Sequence, residues 1–239
     1  ARAIAQEEIK VASLIIDKNG IVPDSLMNIL KQSGMTQLAI PKEYGGAGLD
    51  ILTVAMVAEQ LAMGCAGIAT ICAANALATF PVLQAGNEEQ KNIWCNCLNE
   101  GGMAAFALTE PGAGSDAGAV SCQAKKVDDG YLISGNKSFI TNGPIADKIA
   151  LFANTRQEGG IRGLTLFMVD AKAKGVSIGK KEDKMGIRAS STSEIIFEDC
   201  FVPDFQRIGR EGRGFKIAMQ TLQTSRPVVG ALSVGIAQA

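Results

Sequence analysis

The sequence predicts an α+β multidomain fold with an N-terminal helical bundle, a middle antiparallel β sandwich or barrel, and the start of a C-terminal helical bundle. Apolar residues recur every three or four positions up to about residue 99, which is the helical period. Short β-type runs follow from about Met103, and the helical period returns from about Gly214. The predicted domains are 1–102, 103–212 and 213–239, the last being the first helix of an incomplete helical domain.

The helices are predicted from their periodicity and from their end signals. The first stops at Gly20, and the second begins with Pro23 and Asp24. A turn-rich connector then precedes the helical segment ILTVAMVAEQLAMG. The next segment, IATICAANALATFPVLQAG, is apolar on almost every side and predicts a buried helix. Asn87 is the predicted cap of the helix that follows.

Seven short runs of β-forming residues make up the middle of the chain. They are AAFALTE, GAVSCQAKKV, GYLISGNKSFITN, DKIALFANT, GLTLFMVDA, GVSIGKK and SEIIFEDCFVP. Turn residues separate them about every ten residues, a spacing typical of antiparallel sandwiches and barrels. Both chain ends, at Ala1 and Ala239, lie inside helical patterns without a capping signal, so the sequence is expected to be part of a longer protein.

Composition narrows the classes of function. Lys and Arg number 23 against 24 Asp and Glu, so the charge balance favours neither nucleic acid nor an anionic membrane as a partner. No signal peptide is evident and no apolar run is expected to reach the ~20 residues that span a bilayer, so membrane insertion is not expected. The six scattered cysteines, without a CxxC pair, predict reduced thiols in a cytosolic or matrix compartment.

Histidine is absent from the sequence. Its absence excludes Ser-His-Asp and Cys-His catalysis within this chain. It also removes the commonest metal ligand, and no metal site is predicted. Proton transfer therefore falls to a carboxylate, a lysine, a tyrosine or a cofactor.

The segment FALTEPGAGSD, which begins at Phe106, has two interpretations. Read alone, a surface turn after a strand is the more common structure. The segment is not a Walker loop, because no Gly-Lys-Ser/Thr follows, and no βαβ unit surrounds it as a dinucleotide fingerprint requires. If it binds an anion, the amides of Ala113, Gly114 and Ser115 would form the cradle and the Ser115 hydroxyl would add a donor.

Two further segments are candidates for a site. SFITNG, read alone, predicts a strand that runs into an Asn-Gly turn, yet Thr109 and Thr141 at two strand ends would together face one flat cofactor. In KMGIRASSTSEIIFEDCFVP, Arg188 is either a phosphate clamp or a solvated arginine at a strand start. Trp94 and the cysteines are predicted core residues, and Glu59 is predicted to be partly exposed or hydrogen-bonded.

Taken together and in order, these segments resemble the flavin-dependent acyl-CoA dehydrogenase family. The segments that carry the resemblance are IPKEYGGAGLD, AEQLAMGCAG, FALTEPGAGSD, GNKSFITNG, KMGIRASSTSEIIFEDCFVP, GRGFKIAMQTLQTSRP and GIAQA, over essentially the whole chain. The resemblance implies a helical domain, a β domain and a C-terminal four-helix domain, of which this chain supplies the first two and the opening helix of the third. It implies FAD as the cofactor, held between the β domain and the C-terminal helices, and an acyl-CoA as the substrate.

The resemblance also assigns cofactor contacts. The Leu108 and Thr109 amides and the Thr109 hydroxyl would serve the pyrimidine side of the flavin, Thr141 would donate to N5, and Phe139 would cover one ring face. Ser115 would bond to the phosphate region of CoA or FAD. Many relatives have tryptophan at the Phe139 position, so the stacking area is expected to be smaller here. The full predicted cofactor set is Phe106, Ala107, Leu108, Thr109, Gly114, Ser115, Phe139, Ile140 and Thr141.

Substrate contacts are implied by the segment QTSR. The predicted substrate-binding residues are Ser115, Gln223, Thr224, Ser225 and Arg226. Some family members place the catalytic glutamate on this helix, but the matching position here is Ser225. The base is therefore expected beyond Ala239, and no catalytic residue is predicted within the chain. Acyl tails of the family lie against the helix that matches TICAANALATF, where Ala74 stands.

The implied reaction is α,β-dehydrogenation of a short- or medium-chain acyl-CoA to trans-2-enoyl-CoA, with electrons passed to an electron-transferring flavoprotein. A glutamate would take the α-proton, and the flavin would take the β-hydrogen. The chain alone is expected to bind FAD weakly and to lack turnover. The full-length protein is expected to be a homotetramer in a bacterial cytoplasm or a mitochondrial matrix. The alternatives are an acyl-CoA oxidase that uses O2, a non-catalytic acyl-CoA-binding protein on the same fold, and a P-loop-like nucleotide hydrolase.

Overall fold

The computed structural model of the chain describes residues 1–156 and 160–239. Helices form its N-terminal part and follow the predicted periodicity. They are α1 Arg2–Ile4, continued by a π-helical turn at Ala5–Ile9 and by α2 Lys10–Asn19, then α3 Asp24–Gln32, α4 Ile51–Gly64, α5 Ala66–Ala85 and α6 Glu88–Asn99. A long C-terminal helix, α7, spans Gly214–Gln238.

Local sequence signals explain where these helices begin and end. Gly20 follows α2 in the left-handed conformation, with φ of 64°, which confirms the predicted stop. Asp50 caps α4, because its side chain accepts a hydrogen bond from the Thr53 amide at 2.7 Å. Asn87 and Gln90 form a reciprocal capping box at the start of α6, which confirms the predicted cap.

Helix α5 is largely buried, as its apolar composition predicts. It is also long and apolar enough to span a membrane, with 20 residues, so the expectation that no apolar run reaches that length is wrong. The threonine and asparagine residues of α5 break the apolar sequence into short stretches, but they are too few to make the helix as a whole polar. In this structure most of the helix is buried against other elements, as in the core helix of a globular domain.

Eight strands form one sheet in the middle of the chain. They are β1 Ala104–Ala107, β2 Gln123–Val127, β3 Gly130–Thr141, β4 Lys148–Asn154, β5 Leu164–Asp170, β6 Val176–Lys181, β7 Thr192–Pro203 and β8 Arg207–Ile208. Their order is β6-β7-β3-β2-β4-β5-β8, with β1 paired to β4. The first seven strands correspond to the seven predicted runs, and the two-residue β8 was not predicted.

Pairing in the sheet is antiparallel, including that of β4 with β5, except where β4 meets β1 and β2. β1 runs parallel to β4, with Ala104 opposite Lys148, and β2 meets β4 in parallel at Gln123 and Asn154. The middle domain is thus mainly antiparallel, as predicted, with two parallel pairings that were not predicted. β4 is buried at every position but its first, and such a continuous apolar run is typical of a strand covered on both faces.

Two apolar clusters fill the interior. The larger joins the sheet to the helices and includes the fully buried Trp94, as predicted, together with Ile217 from α7. The smaller lies among the N-terminal helices and takes in Val228 and Leu232 from α7. All six cysteines are free thiols, in agreement with the sequence. Because α7 packs against both clusters, it closes a space between α5 and the sheet.

Candidate functional site

A cleft of about 470 Å³ lies between the sheet, α5 and α7. Both segments that the sequence singled out contribute to one wall, and the two helices form the other. The lining residues are Phe106, Leu108, Thr109, Gly114, Ser115, Ala117, Phe139, Ile140 and Thr141 on the sheet side and Ala74, Leu77, Met219, Leu222 and Arg226 on the helix side. The two segments therefore share one site, and their roles in binding stay predictions.

The first segment leaves β1 after Ala107 and turns back on itself. Backbone hydrogen bonds between Glu110 and Ala113, at 3.1 Å in each direction, close the turn. Gly114 follows on the open side, where an added Cβ would meet nothing within 4 Å. The turn and the ligand loop that the sequence left as alternatives are thus one structure, because the turn carries the backbone that lines the cleft.

Three hydroxyl groups belong to the cleft wall and have no protein partner within residues 1–156 and 160–239. They are those of Thr109, Ser115 and Thr141. In the same part of the chain, the Thr109 N–H also finds no acceptor. The described lining contains no Asp or Glu, whereas Arg226 contributes a positive charge. The wall therefore offers hydrogen-bond donors to an electron-rich ligand.

Phe139 lies at a bulge in β3. The register of β3 against β7 shifts between Lys137 and Ile140. Phe139 adopts a left-handed φ of 58°, a conformation that costs a non-glycine residue about 1–2 kcal/mol. Its side chain is 64% exposed and lines the cleft. The bulge thus presents an aromatic ring to the cleft at the cost of backbone strain, which is a common property of functional sites.

Replacing Phe139 by Gly is expected to leave the protein about 1 kcal/mol more stable than replacing it by Ala, since Gly adopts a positive φ without a Cβ clash. Both variants remove the same exposed ring, so the comparison isolates the backbone. Urea unfolding measures the difference. At the exposed Asn136 of the same strand, where φ is not positive, Gly is expected to be less stable than Ala. If Gly and Ala rank in the same order of stability at both positions, the backbone of Phe139 is not strained.

A buried ion pair joins the two segments behind the cleft wall. The side chains of Lys137 and Glu110 are 0% and 3% exposed, and Lys137 Nζ lies 2.7 Å from Glu110 Oε1. Lys137 also donates to the Leu108 carbonyl at 3.0 Å. Glu110 accepts from the Ser121 hydroxyl at 2.6 Å and from the amides of Ser121 and Cys122 at 2.7 and 3.0 Å. Each charge is therefore paired and hydrogen-bonded, as a buried ion pair requires.

The environment of this pair favours the ionised carboxyl group. Burial acts to raise the pKa of Glu110, but the Lys137 ammonium and the donors of Ser121 outweigh it and hold that pKa below its ordinary value of 4.5. Burial lowers the pKa of Lys137, and Glu110 is among the groups that oppose this effect. A carboxyl group with a depressed pKa stabilises the fold above its unfolded-state pKa. The Glu110 contribution is thus present at neutral pH and lost in acid.

A second buried polar cluster anchors the end of β3 on α5. Asn142, with φ of 64°, donates through its side-chain amide to the carbonyls of Ile71 at 3.0 Å and Ala104 at 3.3 Å. Asn75 of α5 accepts from the Ala104 amide at 2.7 Å and donates to the Thr36 carbonyl at 3.0 Å. The Asn-Gly pair is therefore an anchor on the core and not the tight hairpin turn that its sequence favours.

An apolar chamber of about 260 Å³ adjoins the cleft. It lies between α5, α7 and the connection from β6 to β7. Its lining residues are Thr70, Ala73, Ala74, Ala76, Leu77, Phe80, Thr141, Ile187, Ser225, Val228, Val229 and Leu232. Ala74, Leu77 and Thr141 line both spaces. A ligand with a polar part and an apolar tail would therefore lie across the two.

All of the predicted cofactor residues except Ala107 line the cleft. Ala107 is fully buried and lies opposite Leu151 of β4. Side chains alternate between the two faces of a strand, so Ala107 faces away from the cleft that its neighbour Phe106 lines. The structure therefore leaves this one residue outside the wall.

The predicted substrate residues on α7 divide between the two spaces. Arg226 lines the cleft and Ser225 lines the chamber, whereas Gln223 and Thr224 are exposed and line neither. Consecutive residues of a helix point in different directions, about 100° apart at 3.6 residues per turn, so one short segment cannot place four side chains in one site. Ser115, the fifth predicted substrate residue, is in the cleft wall.

Arg188 is bonded within the protein and is not a freely solvated arginine, whereas its role as a phosphate clamp stays a prediction. Its amide donates to the Asp17 carboxylate and its Nε to the Asp17 carbonyl, each at 3.0 Å. Its guanidinium pairs with Asp183 at 2.7 Å. Arg188 therefore ties the connection after β6 to the end of α2, outside the cleft.

Sequence reasoning missed Glu110, Lys137 and Asn75. The sequence holds a clear signal only for Asn75, which stands between Ala74 and Ala76 in the apolar segment that predicts a buried helix, whereas Lys137 lies between the polar residues Asn136 and Ser138. Amide side chains are seldom buried without a partner, so the presence of Asn75 predicts a polar contact within the core. It does not predict which residue provides that contact.

A helical part ahead of a sheet, with a donor-rich cleft that adjoins an apolar chamber between them, defines an α+β protein with one continuous candidate site. The chain belongs to the acyl-CoA dehydrogenase family. Residues 1–102 match the acyl-CoA dehydrogenase N-terminal domain, and residues 105–200 match the acyl-CoA dehydrogenase middle domain. The predicted family and fold class are confirmed.

Individual relatives agree with this assignment. The short-chain specific acyl-CoA dehydrogenase of Rattus norvegicus mitochondria is 39% identical over 240 residues, which cover 100% of the chain and 58% of the relative. The 3-(aryl)acrylate reductase of Clostridium sporogenes is 43% identical, over 100% of the chain and 64% of the relative. The solved butyryl-CoA dehydrogenase of Megasphaera elsdenii is 37% identical with a TM-score of 0.94, over 99% of the chain and 63% of that protein. The chain thus spans about three-fifths of the length of these relatives.

Proposed function

We propose that the chain forms the cofactor and substrate walls of an FAD-dependent acyl-CoA dehydrogenase that converts a short- or medium-chain acyl-CoA to the trans-2-enoyl-CoA. The observation that carries the proposal is the single cleft in which unpartnered hydroxyls and an aromatic ring meet beside an apolar chamber. Family membership supports FAD as the cofactor, and similar proteins have been solved as FAD complexes.

The residues of the cleft fit FAD chemically. The donors of Thr109 and Thr141 suit the polar edge of an isoalloxazine ring, and the exposed Phe139 ring offers it an apolar face. Ser115 and the open backbone at Gly114 suit a phosphate group. When bound, FAD supplies the two-electron acceptor of the reaction.

The donors are held in place before any ligand enters. The Ser138 amide donates to the Thr109 carbonyl at 2.9 Å, and the Lys137–Glu110 pair connects the same two segments. Donors that need no rearrangement stabilise developing negative charge more effectively than mobile ones. We infer that Thr109 and Thr141 orient the cofactor in this way.

The acyl tail is assigned to the apolar chamber. Burial of each methylene contributes about 0.8 kcal/mol, so an apolar chamber of limited depth selects for chain length. The thioester would lie at the junction that Ala74, Leu77 and Thr141 share. Apolar walls at this junction exclude water from the reacting carbons.

The proton acceptor is proposed to be a glutamate outside residues 1–239. The described linings of both spaces contain no carboxylate. Glu110 is unsuitable, because it is buried behind the wall and paired with Lys137. An electron-transferring flavoprotein is proposed as the electron acceptor, since one similar chain belongs to a structure described as the electron transferring flavoprotein of Acidaminococcus fermentans.

Reduction of a 2-enoyl substrate at the same site is a second candidate. The 43% identity to a 3-(aryl)acrylate reductase favours it. The two directions use the same walls, so the cleft itself is compatible with both.

A hybrid enzyme tests these proposals. Residues 1–239 would be joined to the C-terminal segment of the Megasphaera butyryl-CoA dehydrogenase, and the hybrid and the 239-residue chain would each be titrated with FAD by absorbance. We expect the hybrid to bind FAD and to oxidise butyryl-CoA with an artificial electron acceptor, and the chain alone to show no turnover. A hybrid that binds no FAD would refute the site. Turnover by the chain alone would refute the missing base, and turnover only from cinnamoyl or crotonyl substrates with a reductant would favour reduction.

Replacing Ala74 by Leu is expected to shorten the preferred acyl chain. The larger side chain would narrow the junction of cleft and chamber, and one methylene in an apolar pocket changes kcat/KM by about tenfold or more. The kcat/KM ratio of butyryl-CoA to octanoyl-CoA in the hybrid is therefore expected to rise about tenfold. Gln84→Leu, an exposed change on the same helix outside both linings, is the control. If Ala74→Leu and Gln84→Leu give the same kcat/KM ratio, Ala74 does not contact the acyl chain.

A further inference from the structure

One peptide group in the cleft wall has its two polar atoms in different surroundings. The carbonyl of Leu108 accepts a hydrogen bond of 3.0 Å from the buried Lys137 ammonium. The N–H of the same peptide group belongs to Thr109, which lines the cleft, and within residues 1–156 and 160–239 it donates to no acceptor. This N–H is therefore available to an acceptor in the cleft.

The cation changes the donor strength of that N–H. A hydrogen bond from an ionised donor is about twice as strong as a neutral one. Within a peptide group, withdrawal of electron density through the oxygen makes the N–H more positive, as in the cooperative chains of hydrogen bonds found inside proteins. Low dielectric enhances the effect, and the Lys137 side chain is fully buried.

The position of Lys137 is itself constrained on both sides. Glu110 pairs with its ammonium group at 2.7 Å, and Glu110 is held in turn by Ser121 and Cys122. The adjacent Ser138 amide donates to the Thr109 carbonyl at 2.9 Å, so strand β3 contacts the two peptide groups on either side of the Thr109 Cα.

We propose that Lys137 is a positioning residue that orients and polarises the Leu108–Thr109 peptide group, making the Thr109 amide a stronger donor to the cofactor in the cleft. This inference rests on the proposed function for the identity of the cofactor. Lys137 acts through the peptide group and does not line the cleft itself. Its effect is to favour the state of the cofactor that carries more negative charge at the atom facing Thr109.

Amide NMR of the 239-residue chain tests the polarisation without any ligand. The Thr109 amide proton is expected to move upfield in Lys137→Met, and Lys137→Arg, which keeps a cationic donor, is expected to restore part of the shift. Glu110→Gln/Lys137→Met provides the same comparison if the single variant fails to fold, because it leaves no unpaired charge. Lys148→Met, which breaks the partly buried pair with Asp170 away from the cleft, is the control and should leave the Thr109 signal in place.

The hybrid enzyme described above tests the consequence for the cofactor. Loss of one charge-assisted contact is expected to raise the FAD dissociation constant about tenfold in Lys137→Met and to shift the midpoint potential of bound FAD to a more negative value. Lys148→Met should change neither. The inference would be overturned if the Thr109 amide proton keeps its chemical shift in Lys137→Met, or if the midpoint potential of bound FAD in that variant equals the wild-type value. A wild-type hybrid that binds no FAD would instead overturn the proposed function, whatever the NMR result.

Discussion

Replacing Glu110 by Gln is expected to lower the free energy of unfolding by about 3–5 kcal/mol, because it leaves the Lys137 ammonium buried without its counter-charge. Gln keeps the size of the side chain but has a single acceptor oxygen, so it can accept either from Ser121 or from Cys122, and the loss combines the missing charge with one of these contacts. Urea unfolding at pH 7 measures it. If the free energy of unfolding falls by less than about 1 kcal/mol, the Lys137–Glu110 pair is not shielded from water.

A double-mutant cycle separates the pair from its surroundings. Glu110→Gln/Lys137→Met is expected to lose clearly less than the sum of the two single losses, since neither charge is left alone. Asp204→Asn breaks the exposed pair between Lys126 and Asp204 and is the matched control. It should cost no more than about 1 kcal/mol, the usual range for exposed ion pairs.

The stability of Glu110→Gln relative to wild type is expected to depend on pH. The pKa of Glu110 is depressed in the folded protein, so its contribution is complete above its ordinary value of 4.5 and is lost as the pH falls through the lower folded-state value. The stability difference between wild type and Glu110→Gln is therefore expected to be largest at pH 7 and to shrink in acid. A difference that grows as the pH falls would contradict the sign of the shift.

Replacing Asn75 by Leu is expected to cost about 3 kcal/mol of unfolding free energy. The change removes the acceptor of the buried Ala104 amide and the donor to the Thr36 carbonyl, and each unsatisfied buried group costs about 1–3 kcal/mol. Urea unfolding measures the loss, and hydrogen exchange at the Ala104 amide should become faster. Asn96→Leu on α6, an exposed change from the same residue type, should stay within about 0.5 kcal/mol of the wild type.

Asn75 also connects stability to the site. It lies next to Ala74 in sequence, and it accepts from the amide of Ala104 while Asn142, the residue that follows Thr141, donates to the carbonyl of the same residue. Its loss is therefore expected to loosen the end of β3 and to weaken FAD binding in the hybrid. Equal stabilities of Asn75→Leu and Asn96→Leu would show that the cluster does not anchor this strand.

Local patterns in the sequence predicted the order of the elements and several of their ends. Periodicity located the helices and the first seven strands, and short-range signals such as Gly20 and Asn87 marked their ends, because capping involves only residues close in sequence. The two motifs also identified the segments that line the cleft, since the small and hydroxyl-bearing residues of the loop are adjacent in the chain. The resemblance carried by those motifs predicted the family.

Which of these residues share a site, and which contacts hold them there, depends on the tertiary structure. The parallel pairing of β4, the burial of Ala107 and the exposure of Gln223 and Thr224 depend on which face of an element meets its neighbour. Glu110 and Lys137 are 27 residues apart, and nothing in either local segment specifies the other as its partner. Partner choice between buried charges depends on contacts between distant parts of the chain, which is why local pattern predicted the walls of the cleft but not the ion pair that holds them together.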